Sequence, residues 1–358
     1  MRLWIKLILF LPFICIWACA SAESRDQTGD GSLYASADKL SYQDRISGRT
    51  NTVLKTPEGY TTGKPEVIQF VDDYFDCALY AKNFAQGNAV YGEFVLKGRG
   101  LAAENAGFTL KGEKVPLTAT TWGYRCIAAI HPEQKPGRMD GVFTYTADGK
   151  TKSIRVTVSV KDVEYTISKK KLDLGRFSDE SYYKDPEKKK FILECEHIRE
   201  QAFKSDTGDS ITNSISHPRD FHRITGAYWN KRIYLSYKKK KRNKPVKSKS
   251  RISFHRGVDL KGDFGAPVYA MADGVVVLSH LMFFEGNMVV VDHGNKVFSY
   301  YMHMESRGVK EGDRVKAGQQ IGKVGSTGTS TGPHLHVALS IRGVHVDPLS
   351  FLWLPVTR

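Results

Sequence analysis

Two blocks of the chain, 65–167 and 252–353, are built from short apolar runs broken by Gly, Pro and Asp turn signals. The first carries VIQFV, AVYGEFVLKG, FTLKG, YRCIAAI, GVFTYT and SIRVTVSV; the second carries GVVVLS, MVVVDH and VFSYYMHM. These runs have strand length, and neither block sustains a helical period, so the chain is expected to be mainly β. Its 358 residues leave room for two domains with a full core in each. Asp148-Gly149 lies between two alternating runs and predicts a tight hairpin, because both residues tolerate positive φ. About seven short strands in roughly 100 residues predict an Ig-like β-sandwich over 63–168. A compact antiparallel β domain is expected within 221–358.

Between the blocks the period changes. Asp185-Pro186 supplies an N-cap and a first-turn proline, and Phe191, Cys195, Ile198 and Ala202 then recur at i, i+4, i+7 and i+11. This predicts a helix over 186–204 within a connector at 169–220. At the amino end, Arg2 and Lys6 flank an apolar stretch that closes on Ala20-Ser21-Ala22, which reads as a signal peptide over 1–22. A lipoprotein version, processed at Cys19, is disfavoured by Trp17. Both versions export the protein to the periplasm or cell envelope. Residues 23–62, rich in Ser, Thr, Gly and Asp, read as a flexible lead-in. No later apolar run reaches the length of a membrane span.

The net charge of +15 is concentrated. KKKKRNKPVKSKSR, residues 238–251, contains nine Lys or Arg and no acid. Two readings stand: a polybasic insertion that holds the protein near an anionic cell-wall polymer or membrane surface, or a solvated mobile loop. Nucleic acid is a poor partner for an exported chain whose basic run has no interleaved aromatics. Three of the five cysteines, Cys77, Cys126 and Cys195, lie beyond the leader. An oxidising compartment permits Cys77 and Cys126 to pair, leaving Cys195 as a buried thiol.

Chemistry concentrates in the second block, which holds seven of the eleven histidines. Two constellations stand out, His255-Arg-Gly-Val-Asp259 and Gly-Pro-His334-Leu-His336. Strand residues two apart face the same way, so His334 and His336 project toward a common point. Gly257 lets the chain turn so that His255 and Asp259 can reach one ion. Imidazole and carboxylate donors suit zinc, and three protein ligands with an open fourth position make a catalytic site.

With these residues in view, the carboxyl-terminal block resembles the lysostaphin-like zinc metallopeptidases of metallopeptidase family 23, which cut peptides of bacterial peptidoglycan. HRGVDL, FGAPVYAMADGVVV, GNMVVVDHGN, YYMHM, VKEGDRVKAGQQIGKVGSTGTSTGPHLHVAL and VDPLSFL follow the family order. The resemblance implies one zinc per chain on His255, Asp259 and His336. It implies His334 and His303 as catalytic histidines, with His334 the favoured base and His303 the oxyanion donor, and peptidoglycan peptides as substrate. His293, His280 and His345 fall outside that set and read as structural, surface or turn residues. Gly325, Gly328 and Gly332 are expected to shape the groove wall. One departure is plain: where family members often carry Ser-x-Phe-Gly-x-Arg, this chain has Thr225-Gly-Ala-Tyr-Trp-Asn-Lys-Arg232 followed by the basic segment. The alternative function is a catalytically silent relative that binds or activates another cell-wall hydrolase. Such relatives typically lack metal ligands, and none is missing here. VKEGDRVKAGQQIGKV also resembles the hammerhead of biotinyl carriers, but no carrier Lys sits in the hairpin at Ala272-Asp273-Gly274.

Overall fold

A strand β1 (Thr52–Leu54) precedes the first block, which folds as β2 (Glu66–Val71), β3 (Phe75–Ala81), β4 (Ala89–Leu96), β5 (Glu104–Leu110), β6 (Glu113–Val115), β7 (Thr118–Thr120), β8 (Gly123–Ala129), β9 (Gly137–Ala147) and β10 (Lys150–Val160). The computed structural model describes residues 52–54, 64–97, 103–211, 214–220, 223–239 and 245–356. The expected leader at 1–22, Cys19, and the lead-in apart from 52–54 lie outside the described residues, as do 240–244 of the basic segment.

Two antiparallel sheets, ordered β2-β3-β4-β8-β7 and β10-β9-β5-β6, enclose a core rich in aromatic residues. Along β9 the buried residues Met139, Phe143, Tyr145 and Ala147 fall at even spacing, so that face points inward. Phe143 stacks on Phe94 of the facing sheet with ring centroids 4.2 Å apart. The hairpin between β9 and β10 turns at Asp148 and Gly149, both at positive φ. The block is a β-sandwich. Its connectivity differs from the immunoglobulin order, in which the third strand opens the second sheet; here β2, β3 and β4 run as a meander in one sheet.

Cys77 and Cys126 are buried and free, so the pairing that the sequence permits is not formed. They sit on β3 and β8, with β4 between them: Cys77 lies opposite Phe94, and Cys126 opposite Gly92. Two strand spacings of about 4.8 Å put the Cα atoms beyond disulfide reach. Cys195 is also buried and free.

β11 (Ile167–Leu172) leaves the sandwich, and two 3-10 turns, Gly175–Ser178 and Glu180–Lys184, lead to α1 (Pro186–Lys204). The Asp185 carboxylate caps α1 by accepting from the Glu187 amide at 3.0 Å. Phe191, Cys195, Ile198, Ala202 and Phe203 of α1 pack on Leu278, Met288, Val290, Phe298 and Tyr300.

The second block comprises β12 (Ser214–Ser216), β13 (Arg223–Gly226), β14 (Lys231–Lys239), β15 (Pro245–Phe254), β16 (Val258–Lys261), β17 (Pro267–Tyr269), β18 (Gly274–Met282), β19 (Gly286–Asp292), β20 (Val297–Met304), β21 (Ser306–Arg307), β22 (Arg314–Val315), β23 (Gln320–Lys323), β24 (His334–Ile341) and β25 (Val344–Val346). Its main sheet runs β13-β16-β24-β20-β19-β18-β22, with β25 added on β24. The basic segment is not wholly a loop. Its described residues extend the antiparallel pair β14–β15, and β11 joins β14 in parallel.

The two blocks share apolar core. Ala78, Tyr80, Ala89 and Tyr91 of the sandwich belong to the same buried cluster as Leu339, Leu349, Phe351 and Leu352. The Ala89 amide donates to Ser350 Oγ at 3.0 Å and the Asp347 amide to the Gly87 carbonyl at 2.7 Å. Among the described residues no helix is long and apolar enough to cross a membrane.

Candidate metal centre

Strands β16 and β24 place Asp259 opposite His336, and residues directly opposite across a ladder project from the same face. His255 enters from the turn before β16. Gly257 makes that turn fit, since a Cβ there would lie 2.6 Å from His336 Nε2 and 2.4 Å from the Val337 carbonyl. His336 Nδ1 is 2.7 Å from Asp259 Oδ1, and His255 Nε2 is 3.0 Å from both of those atoms. All three side chains are buried.

The remaining contacts orient this trio. His255 donates from Nδ1 to the Ala227 carbonyl at 2.8 Å, which leaves Nε2 as the acceptor facing the cluster. Arg232, from β14, donates from Nη2 to Asp259 Oδ2 at 2.7 Å and is itself buried. Gly226 makes room for that ion pair, because its Cβ would fall 2.1 Å from Asp259 Oδ2 and 2.3 Å from Arg232 Nη2. Arg232 is the site residue that the sequence reading missed. Its signal was the terminal Arg of the divergent Thr225–Arg232 stretch.

His334 is two residues from His336 on the same face of β24, with Nε2 3.9 Å from Asp259 Oδ1. Its Nδ1 donates to the Gly332 carbonyl at 2.7 Å. His303, at the end of β20, has φ of +61°, an uncommon conformation for a residue with a side chain. Its Nδ1 donates to the Thr327 carbonyl at 2.9 Å, and its buried Nε2 has no hydrogen-bond partner among the described residues. The His303 and His334 rings are 4.9 Å apart, and His303 and His336 6.2 Å. The structure therefore gathers all five residues singled out from the sequence into one nest.

Protonation follows from that nest. Burial, reinforced by the Arg232 charge, takes the His255 imidazole down to about 4. Burial lowers His336, and burial with the neighbouring histidines holds His303 well below the ordinary histidine range. Burial pushes the Asp259 carboxyl up, but His255 and Arg232 outweigh it and keep the group well below the usual carboxylate range. Two neutral imidazoles and one ionised carboxylate thus aim lone pairs at one point. Such a set fits a divalent cation, and a donor set of two nitrogens and one oxygen fits zinc.

The other histidines have separate work. His293 is buried and structural: Nδ1 donates to the Asp273 carbonyl at 2.7 Å and Nε2 accepts from Ser299 Oγ at 2.8 Å. His280 stays beside its own strand, 2.9 Å from the Leu281 carbonyl. His345 lies on β25 rather than in a turn, its ring 5.8 Å from Tyr300.

An antiparallel sheet thus presents a buried His-Asp-His trio that could hold a metal ion, with two further histidines beside it. Residues 253–348 match Peptidase family M23. The chain is similar to the peptidoglycan DD-endopeptidase ShyC of Vibrio cholerae, at 39% identity over 131 residues, 37% of this chain and 28% of ShyC. It is also similar to the DD-carboxypeptidase/endopeptidase Mpg of Neisseria meningitidis, at 44% identity over 96 residues, 27% of this chain and 22% of Mpg. Among solved structures, the catalytic domain of the antimicrobial peptidase lysostaphin from Staphylococcus simulans aligns at 38% identity and TM-score 0.27, covering 28% of this chain and 79% of that domain. The chain spans less than a third of the length of ShyC and of Mpg.

Proposed function

We propose that this protein is an exported zinc-dependent endopeptidase that hydrolyses peptide cross-links or stem peptides of peptidoglycan. The observation that carries the reading is the buried convergence of His255 Nε2, Asp259 Oδ1 and His336 Nδ1 beside two histidines that are not part of the trio. In this reading one zinc ion is held by His255, Asp259 and His336. When bound, zinc supplies Lewis acidity to the scissile carbonyl and to the attacking water.

The protein's own residues do the rest. Arg232 neutralises the outer oxygen of Asp259 and holds the carboxylate in place. His334 is the general base: the bond from Nδ1 to the Gly332 carbonyl turns its lone pair at Nε2 toward the centre, 3.9 Å from Asp259 Oδ1. His303 was expected to donate to an oxyanion. Its Nδ1 bond to Thr327 leaves a lone pair at Nε2 in the neutral ring that burial favours, so in our reading Nε2 accepts a hydrogen bond at the centre rather than donating to the oxyanion. The β14–β15 pair, continuous with the basic segment, would hold the protein near an anionic polymer or membrane surface. Export rests on the leader at 1–22.

The test is zinc content together with digestion of purified peptidoglycan by the full chain and by His336→Ala. We expect one zinc per chain and new peptide ends that vanish in the variant. A zinc-loaded wild-type chain that releases no peptide ends would overturn the peptidase reading.

A further inference from the structure

His303 is held by two loops that grip each other. Its left-handed backbone sits in a bulge: between the pairs Val289–Tyr301 and Asn287–Met304, two residues of β20 oppose one of β19. The His303 amide donates to the Glu285 carbonyl at 2.8 Å, and the Thr327 amide donates to the His303 carbonyl at 3.3 Å. The Thr329 amide donates to the Phe284 carbonyl at 2.7 Å, and the Asn287 amide to Thr327 Oγ1 at 2.9 Å. Gly286 and Gly328 face each other too closely for any side chain, since a Cβ on Gly328 would lie 2.3 Å from the Gly286 nitrogen.

The back of the 283–286 loop is fastened by a helix outside the matched family domain. The Phe283 amide donates to Cys195 Sγ at 3.3 Å, and Arg199 Nη1 donates to Glu285 Oε1 at 3.0 Å. Cys195 and Arg199 are one turn apart on the same face of α1. Glu285 is only 3% exposed, and its ion pair with Arg199 answers the charge of its carboxylate. The residue whose carbonyl fixes the His303 amide is thus the residue whose carboxylate is tied to α1.

We propose that Arg199, acting through the buried carboxylate of Glu285, is a positioning residue for His303, so that α1 forms part of the catalytic apparatus. Without the guanidinium, a buried carboxylate loses its countercharge and is drawn toward water. Its own carbonyl moves with it, and the left-handed turn at His303 loses the acceptor that keeps the ring aimed at the metal centre. His255, Asp259 and His336 are held by one another, by the Ala227 carbonyl and by Arg232, and keep their places.

The activity arm of this inference rests on the peptidase reading above; a second arm does not. In the zinc-loaded full chain, Arg199→Met should retain zinc, hydrolyse peptidoglycan about 10–100-fold more slowly, and exchange the His303 amide proton at least about tenfold faster. Arg199→Lys should recover most of both. Lys296→Met is the control: it releases the same helix where Lys296 Nζ binds the Lys204 carbonyl at 2.9 Å, and it should change neither readout. Wild-type hydrolysis and wild-type exchange in Arg199→Met would overturn the proposal. So would an equal effect of Lys296→Met, which would reduce Arg199 to a plain tie for the helix. If Arg199→Met does not fold, Glu285→Gln carries the same comparison, and unchanged exchange at His303 in that variant overturns the idea. If the wild-type chain cleaves no peptidoglycan, the peptidase reading falls and the exchange rate at His303 alone decides this one.

Discussion

Gly257→Ala is the sharpest test of the site's geometry. The added methyl would stand 2.4 Å from the Val337 carbonyl oxygen, 2.6 Å from His336 Nε2 and 2.8 Å from His336 Cε1. Carbon–oxygen contacts settle at about 3.3–3.6 Å, so roughly 1 Å of clearance has to be found. The nearest obstacle is backbone in a paired strand, since Val258 and Val337 are register partners, and it cannot swing aside as a side-chain tip would. The displacement falls instead on His336 and on the turn carrying His255. Metal–ligand distances tolerate about 0.2 Å, so the shift exceeds what the centre can absorb. We expect zinc affinity to fall at least 10–100-fold, with overpacking costing the metal-free fold about 1–3 kcal/mol. Competition for zinc against a chelating dye and thermal melts with and without zinc would read both. Gly308→Ala is the matched control, because its nearest neighbour, Ile321, would be in ordinary contact at 3.5 Å. Wild-type affinity and melting in Gly257→Ala would refute the packing of His336 described above.

Arg232→Met should destabilise the zinc-free protein by about 3–5 kcal/mol, because it strands the buried Asp259 carboxylate; an unchanged melting temperature would show that the ion pair carries no such role. The zinc-free protein should lose stability as pH falls from about 6.5 toward 4. His255 has its folded pKa lowered to about 4, so over that window the unfolded chain binds the proton first, worth roughly 3 kcal/mol, and His303 and His336 act in the same direction. A urea-midpoint series flat between pH 7 and 4.5 would contradict this. Denatured without reductant, the chain should show Cys77 and Cys126 both open to alkylation, and a mass two units lower with neither modified would mean that they pair after all.

The site was unusually legible because the residues that could hold a metal come in short motifs. Spacings of four and two residues survive any uncertainty in the fold, and a ladder that pairs Asp259 with His336 completes the trio. Arg232 was harder to read: it lies 27 residues before Asp259 and meets it only because β14 and β15 fold back across the basic segment. The left-handed turn at His303 has no local signature either, since Tyr-Met-His-Met carries none of the residues that favour positive φ other than the histidine itself. Strand content was plain from alternation, whereas partner choice was not. The immunoglobulin expectation counted strands without knowing that β4 would stay beside β3, and the same ignorance of sheet order allowed Cys77 and Cys126 to look pairable. Neither reading of the basic segment, surface-binding insertion or solvated loop, foresaw a strand, because charge masked the two-residue period of Lys-Ser alternation.

The apolar joint between the sandwich and the second block has a consequence for how the molecule comes apart. Tyr80 and Tyr91 share one buried apolar cluster with Leu349, Phe351 and Leu352 of the turn at Pro348–Trp353. Neither half can melt without opening greasy surface on the other, so calorimetry should record one endotherm rather than two. A fragment cut between the blocks would inherit that exposed surface and should aggregate, unlike a module joined to its neighbour by a slack tether.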